Sequence, residues 1–167
     1  TLVGSINGQA AGDGFGSSVA INESGSTVVV GAYQSDGNGT NVDIGQVRVY
    51  RLQGGNWTQI GQAIEGENSG DLFGRSVDVN DAGDTIIIGA NQNDGVAQNA
   101  GHARIYRFNG TAWNQLGGDL EGDAAGDFFG WDVSINGSGD TVAVSSQNNS
   151  NVNTEGGLVR IYAYNGI

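Results

Sequence analysis

Three short segments of this sequence set an acidic residue between glycines and an aromatic ring. They are "GDGFG" (12–16), "GDLFG" (70–74) and "GDFFG" (126–130). A carboxylate in a glycine-rich loop suits a metal ion, and the first copy by itself is similar to a phosphate-binding loop. The other copies carry Leu72 and Phe128 at the middle position, and no helical pattern follows any of them. Such a loop holds phosphate at a helix N-terminus, so we exclude nucleotide binding.

The three segments each open one unit of an internal repeat. The match continues through "FGSSVAINESGSTVVVGA" (15–32), "FGRSVDVNDAGDTIIIGA" (73–90) and "FGWDVSINGSGDTVAVSS" (129–146), and again through "GQVRVYR" (45–51), "GHARIYR" (101–107) and "GLVRIYA" (157–163). Repetition at a nearly constant interval predicts a repeat architecture. We therefore treat residues 1–167 as a single repeat domain, with units at about 13–70, 71–126, and 127–167 together with 1–12.

Each unit shows four strand signals separated by turn residues. In the first unit they are Ser18–Ile21, Thr27–Gly31, Gln46–Leu52 and Trp57–Ile64. Short β-branched runs joined by Asn/Gly turns, without a helical period, predict an all-β fold. Four short antiparallel strands in each unit predict three blades of the propeller type, with a three-fold β-prism or trefoil as the alternative.

The two ends of the sequence predict how the last blade is completed. Leu2–Ile6 aligns with Ile60–Ile64, and the third unit stops before a fourth strand of its own. We therefore expect the N-terminal strand to complete the last blade. Because propellers typically have four to eight blades, we also expect a homo-oligomer, with a dimer giving six blades, or a place in a longer repeat array.

The repeated motifs resemble a known family. The pattern F-G-x-[S/D]-V, followed by a β-branched run that ends in G-A, is similar to the FG-GAP repeat, which builds the propeller heads of integrin α subunits and many secreted microbial proteins. "FG" stands at 15–16, 73–74 and 129–130, and "GA" at 31–32 and 89–90, whereas the third unit has Ser145-Ser146. The resemblance covers all three units and implies a β-propeller in an extracellular or cell-surface protein.

Two departures from the family pattern concern the turns. The proline of "GAP" is missing in every unit, where Tyr33, Asn91 and Gln147 stand instead. The resemblance also implies an acidic calcium loop between the first two strands. The segments at that place, 21–26, 79–84 and 135–140, are short and carry too few carboxylates to surround a calcium ion.

Composition excludes several classes of function. The net charge of −12, with six arginines and no lysine, disfavours binding to nucleic acid or to anionic membranes. No apolar run approaches the ~18 residues of a membrane-spanning helix, so we expect no membrane insertion. The chain has no cysteine and a single histidine, His102, and offers neither a thiol nucleophile nor a zinc centre. We expect a protein that is not an enzyme.

The acids of the opening segments recur together with an arginine of the third strand. We expect each acid to cap a turn or to pair with the arginine of its unit, because charge-assisted pairs of this kind fix geometry. The predicted structural pairs are Asp13 with Arg48, Asp71 with Arg104, and Asp127 with Arg160.

The loops between the second and third strands differ most between units, and such loops commonly carry binding residues. "DGNGTNVD" (36–43) spaces four oxygen donors as a calcium loop does, which makes calcium the candidate cofactor; the four residues are Asp36, Asn38, Thr40 and Asp43. Tyr33, Asn91 and Asp94 are further candidates for ligand contacts in these loops, and Trp131 is another because no other unit has a tryptophan there.

Taken together, these expectations describe an extracellular binding or adhesion module that presents variable loops on a propeller-type scaffold. Its partner would be a protein or glycan ligand at a surface. A carbohydrate-binding lectin and a structural subunit of a surface assembly are the alternatives.

Overall fold

The fold is that of a computed structural model in which residues 1–37, 42–149 and 156–164 are described. The described residues form strands and turns without a helix, which confirms the all-β prediction. No helix with the length and apolar character of a membrane span occurs in this part of the chain.

Each repeat unit forms one antiparallel sheet, and we call these sheets blade 1, blade 2 and blade 3. The strands of blade 1 are β1 (Ser18–Ile21), β2 (Thr27–Ala32), β3 (Gln46–Gln53), β4 (Asn56–Gln59) and β5 (Ile64–Glu65). Those of blade 2 are β6 (Ser76–Val79), β7 (Thr85–Ala90), β8 (His102–Phe108), β9 (Trp113–Gln115) and β10 (Leu120–Glu121). Blade 3 has β11 (Phe129–Ile135), β12 (Thr141–Ser146) and β13 (Leu158–Ala163).

The pairing within the blades follows one plan. In blade 1, β2 lies between β1 and β3, and both β4 and β5 pair with β3; blade 2 repeats this order, and blade 3 repeats its first three strands. The hairpin turns predicted between the first two strands are present. Asn80, for example, accepts hydrogen bonds at Oδ1 from the backbone amides of Asp84 and Thr85. Asparagine closes a turn in this way because its short amide reaches nearby backbone groups.

The predicted fourth strand is split in two. The sequence predicts one strand over Trp57–Ile64, whereas the chain leaves the sheet between β4 and β5. At this point Gly61 passes so close to blade 2 that a Cβ atom on it would lie 2.6 Å from Cδ1 of Trp113. The Trp113 indole also donates a hydrogen bond of 3.0 Å to the carbonyl of Ile60. Strand pairing is therefore interrupted at the point where the chain contacts the tryptophan of the next blade.

The blades stack face to face, which is the propeller arrangement and not that of a prism or trefoil. Each blade has a front face, which carries the apolar residues of its first strand, and a back face on the opposite side. Val77 and Val79 on the front of blade 2 pack against Val29, Val47 and Val49 on the back of blade 1. Strand β11 of blade 3 packs in the same way on β6, β7 and β8 of blade 2. Alternating side chains along each strand supply both faces.

A recurring pair of rings lies on each front face. Aromatic residues that recur in the three units meet edge to face with centroids 6.4–6.5 Å apart, a favoured geometry for aromatic pairs. The pairs are Phe15 with Tyr50, Phe73 with Tyr106, and Phe129 with Tyr162.

The N-terminal segment does not complete blade 3 within the chain. Residues 1–6 form no strand, and the sheet of blade 3 consists of β11, β12 and β13 among the described residues. Instead, the segment lies on the front of blade 1, where a Cβ atom on Gly4 would approach Cδ1 of Trp57 to 2.7 Å. The reason is geometric: the blades are stacked in a row, and blade 3 contacts blade 2 at the end of the row that is remote from the N-terminus.

Replacing Phe73 by alanine tests the face-to-face core. The Phe73 side chain is fully buried between blades 1 and 2, so we expect Phe73→Ala to lower the free energy of unfolding by about 4 kcal/mol. Phe15→Ala changes the equivalent residue on the open front of blade 1, where the ring is only half-buried, and should cost clearly less. Urea unfolding followed by tryptophan fluorescence measures both. Equal losses would show that the front of blade 1 is as well packed as that of blade 2.

Candidate functional site

Side chains from all three blades meet around one arginine. The guanidinium carbon of Arg75, in blade 2, lies 5.7 Å from the ring centre of Tyr33 in blade 1 and 5.2 Å from that of Trp131 in blade 3. Both distances are those of cation–π contacts. Trp131 in turn packs edge to face on Phe128, with centroids 6.3 Å apart. The structure thus brings together Tyr33 and Trp131, two of the predicted ligand residues.

An open groove of about 380 Å³ runs beside these rings. Ser18, Arg75, Ser76, Trp131 and Asp132 line it, and we call it the Arg75 groove. Oδ1 of Asp132 accepts hydrogen bonds from Ser76 Oγ (2.9 Å) and from its neighbour's backbone amide (3.1 Å), which leaves Oδ2 as an acceptor. Among the described residues, Arg75 forms no ion pair. The groove therefore offers hydrogen-bond donors, an acceptor and an aromatic face within one small area.

Two of the three repeated acids, Asp71 and Asp127, are buried turn caps, whereas Asp13 is half-buried. Asp71, 2% exposed, accepts hydrogen bonds at Oδ2 from the backbone amide of Asn68 and from the side chain of Asn93, both at 3.0 Å. Asp127 accepts in the same way from the amide of Ala124 and from Asn149. Each acid therefore ties the turn that opens its blade to the loop between the second and third strands.

The predicted pairing of these acids with arginines is wrong in blades 2 and 3. Arg104 pairs with Glu67 and Asp119, and Arg160 pairs with Asp123. Glu67 and Asp123 lie on the segments that lead into blades 2 and 3, so each arginine binds an acid from the connection that precedes its blade. In blade 1, Arg48 donates to the side chain of Gln46. The capped turns already satisfy the opening acids, which therefore do not need an arginine.

The acids of the variable loops close their own loops. Asp36 Oδ1 accepts a hydrogen bond from the backbone amide of Asp43 at 3.0 Å, and Asp94 Oδ1 accepts one from Asn99 at 2.7 Å. The recurrence of this contact in two loops of different composition indicates a turn-closing role. Asn38 and Thr40 lie outside the described residues, so calcium at 36–43 stays a prediction. Asn91 is 1% exposed and faces no solvent.

A polar cluster surrounds the buried His102 at the start of β8. Donor atoms of Glu67, His102 and Asp119 lie within 4.8 Å of one another, a spacing that a metal ion would require. Arg104, however, reaches Asp119 with Nε at 2.8 Å and Nη2 at 2.7 Å, and its Nη2 lies 2.6 Å from Glu67 Oε1. The guanidinium already supplies the positive charge that the two carboxylates need. We therefore assign this cluster a structural role.

The electrostatics of the cluster favour a neutral histidine beside a fixed ion pair. His102 is 1% exposed, and neither ring nitrogen has a hydrogen-bond partner among the described residues. Burial, followed by repulsion from Arg104, lowers the pKa of His102. Burial would raise the pKa of Asp119, but hydrogen bonds from Arg104 and Gln115 outweigh it and lower this pKa. Burial opposes the charge of Arg104 as well, yet its bonds to Asp119 and Glu67 raise its pKa.

Comparison with known protein families bears directly on this repeat. The model of the FG-GAP repeat matches residues 7–50 and 62–106, which together make up more than half of the chain. The chain belongs to the FG-GAP repeat family. No curated protein shows significant similarity to it.

The FG-GAP motif allows successive blades of this chain to approach each other closely. The backbone amide of Phe73 donates to the carbonyl of Ile44, and that of Phe129 to the carbonyl of Ala100, so the "FG" of blade 2 and that of blade 3 dock on the loop of the preceding blade. The glycine of "GA" admits this approach. A Cβ atom on Gly31 would lie 2.2 Å from the carbonyl oxygen of Gly74, and one on Gly89 would lie 2.1 Å from that of Gly130. Ser145 replaces this glycine on blade 3, which no further blade covers.

Two groove residues, Arg75 and Asp132, escaped the sequence analysis. A signal for Arg75 was present: of the six arginines, it is the only one without an arginine at the equivalent place in another FG-GAP unit. Its equivalents are Ser17 and Trp131. A position that holds serine, arginine and tryptophan in three units is under no common packing requirement. Asp132 also departs from the repeat, because Ser18 and Ser76 are its equivalents in the other two units.

The stability of the fold should depend on His102 in mildly acidic solution. Because the folded-state pKa lies below the value of about 6.5 in an unfolded chain, the unfolded state binds more protons as the pH falls below that value. Stability should therefore decrease there, by at most about 1.4 kcal/mol per pH unit from this one group. Gln46 occupies the same position in blade 1, so His102→Gln should fold and should show a flatter dependence.

Urea unfolding between pH 7.5 and 5.5 measures this difference. The acids are the same in both proteins, so a difference in slope between the two plots of unfolding free energy against pH reports on His102. Parallel curves for the wild type and His102→Gln would contradict a buried neutral histidine.

Proposed function

We propose that this chain is an extracellular binding module of the adhesion type, with the Arg75 groove as its ligand site. The observation that carries the proposal is the convergence of Tyr33, Arg75 and Trp131. These residues come from three different blades, do not recur in the repeat, and nevertheless lie in contact. Packing of the blades does not require them, since Ser17 suffices at the position of Arg75 and Trp131 in blade 1. Membership of the FG-GAP family supports a role as a binding scaffold.

The chemistry of the Arg75 groove favours a carbohydrate over other ligands. A sugar ring presents hydroxyl groups at its edge and C–H groups on its face. Arg75 can donate to hydroxyl oxygens, Asp132 can accept from hydroxyl hydrogens, and the half-buried ring of Trp131 can cover the apolar face. The proposed role requires no covalent chemistry. A lectin is accordingly the specific form of the binding module that we put forward.

A glycan array with the purified chain tests this proposal. Serine is the side chain that blade 1 itself carries at the relevant position, so Arg75→Ser and Trp131→Ser should fold normally. Arg75→Ser should weaken binding to the selected glycan by about tenfold or more, since a hydrogen bond to a charged group contributes about 1.5–3 kcal/mol. Trp131→Ser should also weaken binding, because it removes the aromatic face that covers the sugar ring. Arg107→Ser removes an exposed arginine of blade 2 outside the groove and serves as the matched control.

Tryptophan fluorescence gives an independent measure of the site. Ligand should quench the wild type and the Trp57→Phe variant, but not Trp131→Ser, because Trp113 is only 3% exposed. A flat array would contradict the lectin form. If surface proteins were then bound in a manner that depends on Arg75, the ligand would be a protein instead. Binding that survives both serine variants would remove the groove from the proposal.

A further inference from the structure

The front of blade 1 exposes residues that are buried wherever another blade covers them. Val19 and Ile21 are 65% and 60% exposed. Their equivalents on the covered fronts of blades 2 and 3 are 6–8% exposed: Val77, Val79, Val133 and Ile135. The sequence thus keeps this face apolar although none of the described residues covers most of it.

The back of blade 3 shows the complementary exposure. Val159 and Ile161 are 62% and 74% exposed, whereas Val47 and Val49 at the same places in blade 1 are fully buried. The described residues also provide no fourth strand for this blade. In blade 1, Ile64 pairs with Val47, and in blade 2, Leu120 pairs with Ala103. The corresponding edge of β13 is unpaired.

The N-terminal segment follows the path of a strand that completes a preceding blade. A Cβ atom on Gly8 would meet Cβ of Phe15 at 2.9 Å, just as one on Gly66 would meet Cβ of Phe73 at 2.9 Å. Gly66 comes two residues after Ile64 of β5, and Gly8 comes two residues after Ile6. The amide of Gly66 also donates to the carbonyl of Gly45 in the preceding blade. Ile6 and Gly8 therefore stand where a preceding blade would be completed, although blade 1 has none within the chain.

We propose that a second copy of this chain fills both open faces. The back of blade 3 packs on the front of blade 1 of the partner subunit, and Ile6–Asn7 of each copy pairs with Leu158–Val159 of the other. The register of β5 on β3 places Ile6 opposite Val159 and Asn7 opposite Leu158. Two such junctions, related by a two-fold axis, close a ring of six blades, which is within the usual range for propellers.

A second copy is favoured because this chain itself carries both halves of the junction. Each open face continues a type of interface that already occurs twice inside the chain. The two faces that meet are both apolar. The N-terminal segment of the second copy also adds a strand to the edge of β13, which would otherwise be exposed. All residues of the Arg75 groove come from one copy of the chain. The proposed assembly is therefore independent of the proposed ligand site.

The new junctions should be looser than those inside the chain. Ser145 stands where Gly31 and Gly89 admit the "FG" glycine of the next blade, and a Cβ atom at those glycines would lie only 2.1–2.2 Å from its carbonyl oxygen. The junction must therefore open by about 1 Å at this point, since a Cβ atom does not approach an oxygen closer than about 3 Å. The dimer should consequently dissociate on dilution, and Ser145→Gly should strengthen it.

Disulfide trapping tests the strand exchange in a chain that has no cysteine of its own. The double variant Ile6→Cys/Val159→Cys should oxidise to a covalent dimer on non-reducing electrophoresis. The control Ile6→Cys/Val96→Cys pairs the same position with an exposed loop residue of blade 2 and should stay largely monomeric. A monomer linked within itself, or a dimer yield equal to that of the control, would overturn the proposal.

Sedimentation equilibrium tests the apolar faces without engineered bonds. The wild type should show twice the mass of one chain at high concentration, and Ser145→Gly should lower the dissociation constant by about tenfold. Ile161→Asp should give a folded monomer, because the side chain is exposed in the single chain, whereas Val96→Asp makes the same change of charge at another exposed site. A wild type that stays monomeric, or an Ile161→Asp variant that still dimerises, would overturn the proposal. Arg75→Ser should leave the mass unchanged.

Discussion

Burial of one blade face against the next is the interaction on which the rest of this structure depends. A sheet of three to five short strands has two faces, and alternation along each strand makes both of them apolar here. Only stacking removes both faces from water, and this burial stabilises the fold by about 25 cal/mol for each Å² of apolar surface. Blade 2 shows the completed state, since Ile86, Ile87 and Ile88 are all fully buried although they alternate between its two faces. A blade in isolation would leave both of these sets in water, so the blades must fold cooperatively.

The stacking also determines where a binding site can form. The "FG" turns of blades 2 and 3 hydrogen-bond to the base of the preceding loop, so loops and blade contacts cannot move independently. Gly45 and Gly101, at the ends of these loops, leave no room for a Cβ atom beside the next blade. The first strands of the three blades therefore lie side by side in a fixed register. The Arg75 groove depends on this register, because its arginine is held between rings that belong to the neighbouring blades.

The sequence predicted positions better than it predicted partners. Repeat alignment gave the blades and three of the four strands in each complete unit, since these depend on local pattern and on recurrence. The alignment did not predict the ion pairs, because Arg104 pairs with Glu67 on the preceding connection and not with Asp71 of its own unit. Nor did it give the break at Gly61, which is caused by Trp113 of another blade. Contacts across a blade boundary join residues of different repeat units, and a pattern within one unit does not specify them.

The same reasoning explains why disagreement between the units is informative. Equivalent positions of successive blades become neighbours in space, so a column of the repeat alignment corresponds to a row across the molecule. Where packing dictates the residue, the row is uniform, as it is for Phe15, Phe73 and Phe129. Ser17, Arg75 and Trp131 share one column of the alignment but differ in chemistry. The row that they form across the three blades therefore differs from one end to the other. A uniform scaffold cannot by itself orient a ligand, whereas a row of this kind can, since its cation and its ring would contact different parts of a molecule bound at the proposed site.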